Sequence, residues 1–139
     1  MESEPEQTEL AEGEVLVVYR IVRTADSESP EFAGSFKSSW ELGLPPRGRE
    51  RTYPLIRRGV SVWETQEAAI RTALSYPQIG HYVAELRLTR ETGATYYRWE
   101  KPSGHLTIWG DALNLASSAV DTICVDKGSE NKSGLPNTG

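Results

Sequence analysis

The stretch "EVLVVYRIVR", residues 14 to 23, constrains this chain more than any other. It is a nearly continuous run of apolar, mostly β-branched residues. A run without a wet face suits a strand covered on both sides of a sheet. One residue breaks the pattern: Arg20 falls on the strand face of Leu16, Val18 and Val22, where a guanidinium has to be paired or hydrogen-bonded. Two readings stand. Either the arginine reaches water or pairs with Glu85 or Glu100, or its planar fork clamps a phosphate or carboxylate at a cleft.

The rest of the chain supplies what such a strand needs. "GVSVW" at 59 to 63 is a second strand, with Ser61 and Trp63 on one face and Val60 and Val62 on the other. It runs directly into a helix from about Gln66 to Tyr76, capped by Thr65, with an apolar stripe of Ala69, Ile70, Ala73 and Leu74. "HYVAELRL" alternates Tyr82, Ala84, Leu86 and Leu88 against Val83, Glu85 and Arg87. "RETG" reads as a turn, "ATYYRWE" and "HLTIWG" as strands joined by "KPSG", and "AVDTICV" as a last strand after a helical segment near Asp111 to Ala116. A short helix is expected around Phe36 to Leu42, followed by a long loop with five arginines between Arg47 and Arg58 against Glu50. The expected class is α+β: a mixed, largely antiparallel sheet of about six strands with two or three helices.

At 139 residues the chain has room for one core. Residues 14 to 126 are read as a single α+β domain. Residues 1 to 13 have the charged, aromatic-poor composition of a disordered acidic tail, and 127 to 139 that of a flexible C-terminal tail. The first fourteen residues carry six of the 20 acidic side chains, which leaves 14 acids against 15 Lys and Arg in the remainder. That near-neutral balance argues against a general nucleic-acid binder, although the Arg47 to Arg58 loop can reach phosphates. The closing "LPNTG" matches a sortase signal, but neither an export signal nor a hydrophobic tail accompanies it, so it is read as coincidence or an appended tail. With no apolar run long enough to span a bilayer, no signal segment and a single cysteine, Cys124, expected to be a small buried hydrophobe, the expected address is cytoplasmic, away from membranes.

Several residues are candidates for chemistry. Ser61 and Trp63 share a face, as do His105, Thr107 and Trp109 in "GHLTIWG"; together they can line a cleft that stacks a flat ligand, or simply pack. His105 reads equally as a structural hydrogen-bonder. Glu100 shares its face with Tyr96 and Arg98 at a strand end, where it can act as a general base, stabilise a developing cation, or sit in solvent. A metal site is not expected, since His81 and His105 are far apart in sequence and no second cysteine or acidic cluster accompanies them in the folded part. No Walker loop or GxGxxG is present.

The order of these features, with Tyr19 and Arg20 in the first strand, an arginine-containing segment, "GVSVWET" running into "QEAA", and then "YVAELRL", resembles the RES family of NAD-degrading bacterial toxins over roughly residues 15 to 90. The resemblance implies an ADP-ribosyltransferase-like fold with NAD as substrate. It implies that Arg20 clamps the dinucleotide, that Tyr19, Ser61 and Trp63 line the nicotinamide pocket with His105 and Trp109 nearby, and that Glu100 is the acid, with Ser61 beside it at the reacting centre. The chain departs from the family where a glutamate is usual in the helix, a place taken by Arg71, and the glycine-rich element between the first two strands is not recognisable. Two functions follow: an NAD glycohydrolase or ADP-ribosyltransferase acting on a nucleotide or protein target, or a non-catalytic nucleotide- or protein-binding module on the same fold.

Overall fold

In the computed structural model, which describes residues 4–125, the apolar runs form one sheet of seven strands. They are β1 (Thr8–Glu9), β2 (Leu16–Val22), β3 (Val60–Trp63), β4 (Tyr82–Leu88), β5 (Thr95–Arg98), β6 (His105–Trp109) and β7 (Ala119–Cys124), with helices α1 (Pro30–Gly34), α2 (Gln66–Ser75) and α3 (Ala112–Ser117). The sheet order is β1-β5-β6-β3-β2-β4-β7, and every pairing is antiparallel. The α+β class is as expected. β3 is the middle strand, and β2 beside it pairs with β4 in a continuous register from Leu16↔Leu88 to Val22↔Tyr82.

Period-two alternation divides the core between the two faces of the sheet. Val18, Val22, Val62, Leu86, Leu106 and Ile108 project to one face and pack with Phe32 and Phe36 from the α1 region and Leu115 of α3. Ile21 and Val83 project to the other and meet Ala69 and Ala73 of α2, flanked by Tyr19, Trp63, Ile70 and Leu74. Burying each of the large aliphatic side chains is worth about 1.5–3 kcal/mol. α2 starts where the sequence places it, with the Thr65 hydroxyl accepting from the Ala68 N–H.

Four expectations are corrected. The first helix lies at 30–34 rather than at 36–42, because Ser29 accepts from the Glu31 N–H and Pro30 occupies the first turn; both are start signals. The N-terminal segment joins the fold: β1 pairs with β5 and Leu10 is buried, which brings the strand count to seven. Cys124 is exposed at the sheet edge. The long loop contains two 3-10 turns, Gly48–Arg51 and Pro54–Arg58. The expected C-terminal tail and the LPNTG match lie outside the described residues. Among the described residues no helix is long and apolar enough to cross a membrane.

Candidate functional site

β2 and β3 meet at one register pair, Tyr19↔Trp63. Beyond it the strands part, and residues from both sides of the fork, Arg20 and Ile21 on β2 and Val60 and Ser61 on β3, line a cavity of about 420 Å³. The fork forms because β3 is drawn toward β6, with Val60↔Ile108 and Ser61↔Thr107 in register. Gly59 makes that approach possible, since a Cβ there would lie 2.7 Å from Thr107 Cγ2 and 2.8 Å from the Ile108 carbonyl oxygen.

Arg20 spans the fork. Its Nε and Nη2 donate to the Ser35 carbonyl at 3.0 and 2.9 Å, and its Nη1 donates to the Ser61 carbonyl at 2.8 Å. A guanidinium has five N–H donors, so two remain after these three bonds. Among the described residues no carboxylate pairs with it, and the two ion pairs, Arg87–Glu85 and Arg98–Glu64, lie elsewhere. Burial alone pulls its pKa down to about 10, so the side chain stays cationic at neutral pH while bearing a desolvation cost that carbonyl dipoles only partly offset. Arg23, Lys37 and Arg47 add positive charge around the same cavity, against the single carboxylate of Glu50. Glu50 is itself held in place: one oxygen accepts from the Arg47 N–H and the other from the Ser39 hydroxyl, each at 3.0 Å. A cationic, hydroxyl-rimmed hollow of this size suits a phosphorylated small molecule.

The candidate residues divide between two places. Arg20 and Ser61 line the cavity together. Tyr19 and Trp63 pack into the cluster beneath α2. Trp109 is 8 % exposed, and its indole N–H donates to the Leu55 carbonyl at 2.9 Å. His105 lies beside Trp63, ring centroids 5.6 Å apart, with Nδ1 3.5 Å from Arg49 Nη1. Burial, and secondarily the Arg49 charge, push its pKa down to about 4, so at neutral pH the ring is uncharged and Nδ1 accepts. Glu100 is exposed in the bend after β5 and does not line the cavity. Asp111 caps α3 by accepting from the Leu113 and Asn114 N–H groups.

Sequence reasoning missed Ser35, Lys37, Ser39 and Glu50, all from the segment between the first two long strands. The one signal for Glu50 is its spacing from Arg47, where Glu50 accepts the Arg47 backbone N–H as the reciprocal half of a helix-start motif. Among the described residues no three His, Cys, Asp or Glu side chains gather at a point suited to a metal ion. No family model, curated protein or solved structure matches the chain.

Proposed function

We propose that the protein binds a phosphorylated nucleotide in the Arg20 cavity, with NAD the ligand that the RES-like order of motifs implies, and that it acts on NAD in the manner of an ADP-ribosyltransferase or NAD glycohydrolase. One observation carries the reading: Arg20 is desolvated, has no carboxylate partner among the described residues and borders a hollow ringed by further cations. An anionic ligand supplies the missing countercharge, and the two remaining N–H groups suit a pyrophosphate oxygen. Cleavage of the nicotinamide–ribose bond releases nicotinamide with the bonding electrons while water or a target nucleophile attacks C1′ and loses a proton. The carboxylate available to offset the developing positive charge on the ribose is Glu50, because Glu100 stands outside the cavity.

A non-catalytic binding module remains the second reading, favoured by the hydrogen bonds that already occupy both Glu50 oxygens. Calorimetric titration with NAD, together with an assay for nicotinamide release, separates the two. NAD binding that weakens about a hundredfold in Arg20→Ala, as expected for losing charge-assisted bonds, supports the site. Release abolished in the same variant supports the enzyme. Wild-type protein that neither binds nor consumes NAD ends the reading.

A further inference from the structure

A second feature lies beside the Arg20 cavity and shares Glu50, but none of its cations, with it. Trp40 is 50 % exposed although its ring is flanked by two guanidinium groups, Arg58 at 4.2 Å and Arg57 at 5.2 Å from the ring centroid. A hollow of about 530 Å³ opens beside it, its lining including Trp40, Pro46, Glu50, Arg51, Arg57 and Arg58. Arg51 and Arg58 are exposed, whereas Arg57 is tied to the Leu44 carbonyl. Glu50, the carboxylate in reach, has both oxygens engaged by Ser39 and Arg47. The outcome is a half-exposed indole, its ring already approached by Arg57 and Arg58, beside cations that among the described residues have no carboxylate partner, on a chain whose formal charge is −5.

We propose that this surface docks single-stranded nucleic acid, one unpaired base stacking at Trp40 and the flanking phosphates meeting Arg51 and Arg58. An acidic peptide would satisfy the arginines and leave the indole unused. A duplex would offer phosphates with its base faces already stacked. A single strand uses both groups, because every base has a π face and every linkage a negative charge. The surface is separate from the guanidinium at the β2/β3 fork, so it stands or falls without the NAD reading.

Fluorescence anisotropy tests it, with labelled oligo-uridylate and oligo-thymidylate of about ten nucleotides, within the span of known single-strand platforms. Both oligomers, or one of them, should bind at low salt, the tighter one showing whether RNA or DNA is read. Trp40→Ala should weaken binding about tenfold. Arg58→Ala should flatten the dependence of log K on log salt by about 0.7, the contribution of one phosphate on a single strand. Arg20→Ala should leave the affinity unchanged. The proposal is overturned if neither oligomer binds, if Trp40→Ala binds as tightly as the wild type, if a duplex of the same length binds better than the single strands, or if an oligoglutamate displaces the oligomer at equal charge concentration.

Discussion

Two half-buried arginines of this molecule are treated in opposite ways. Arg49, from the long loop, lies over the Trp99 ring at 3.8 Å, donates to the Lys101 carbonyl and approaches His105. Its surroundings are aromatic: Trp99 is flanked by Tyr53 and Tyr97 and gives its own N–H to Thr107. Among the described residues Arg20 has no ring above it and bonds only to carbonyls, and it borders open space. A guanidinium stacked and bonded by the protein's own groups fastens a loop to a sheet. One left with spare donors at a hollow is where the proposed anion would bind. The contrast separates structure from function more sharply than either residue does alone.

The largest effects should fall on opposite observables. Under the proposed reading Arg20→Ala should weaken NAD binding about a hundredfold. Arg49→Ala should instead cost about 1 kcal/mol of folding stability, through lost stacking on Trp99, with NAD affinity within twofold of the wild type. Urea denaturation and calorimetry on one preparation check both. If Arg49→Ala abolished binding in a protein of unchanged stability, the division proposed here would be reversed.

Conservative changes sharpen the comparison. Arg20→Lys keeps the charge but cannot bridge the Ser35 and Ser61 carbonyls while offering donors to the cavity, so NAD affinity should drop about tenfold rather than a hundredfold. Equal losses for Lys and Ala would mean that the planar fork matters and the charge does not.

The two regions should also respond differently to pH. Burial and Arg49 hold the folded-state pKa of His105 at about 4, below the unfolded value of about 6.5. In that interval the unfolded chain binds a proton that the folded chain refuses. Stability is therefore fully present above pH 6.5 and declines as the solution is acidified toward 4, at less than about 1.4 kcal/mol per pH unit for this group. His105→Gln, which keeps an acceptor for Arg49, should flatten the decline between pH 6.5 and 5, the part of the range above most carboxylate titration. A slope unchanged in His105→Gln would place the pH sensitivity elsewhere. Arg20, at about 10, stays charged throughout, so its contribution to anion binding should not vary over the same range.

How much of this was legible in the sequence depends on whether a residue belongs to a periodic element. The α2 start at Thr65, the alternation of β4 and the anomaly of Arg20 in an apolar run could all be read, because strand and helix periods fix which side chains share a face. The fork between β2 and β3 could not, since it arises from long-range register: β3 follows β6, and only Tyr19↔Trp63 remains in common with β2. The segment between them carries no period, so Ser35, Ser39 and Glu50 gave no hint of where they would converge. The same absence of period moved the expected helix from 30–34 to 36–42. Glu100 was a reasonable candidate from its place at a strand end, but β5 stops at Arg98 and leaves it in an exposed bend.

That displacement yields the smallest expected effect and the finest test of the two regions. Glu100 belongs to the end of the sheet where Arg49 and Trp99 pack, while Glu50 lines the fork with Arg20. Glu100→Gln changes an exposed group that has no hydrogen bond to lose among the described residues, so stability should move by less than about 0.5 kcal/mol and nicotinamide release should not change. Glu50→Gln keeps a carbonyl oxygen to accept from the Arg47 N–H or the Ser39 hydroxyl, yet removes the negative charge from the cavity. Under the enzymatic reading it should lower the turnover rate at least tenfold with NAD affinity held or improved, because a charge that disfavours the bound phosphates is gone while the support for the cationic ribose is lost. Reversed results, with Glu100→Gln inactive and Glu50→Gln normal, would require the bend after β5 to close over the fork, and would make the aromatic end of the sheet part of the site rather than its structural counterpart.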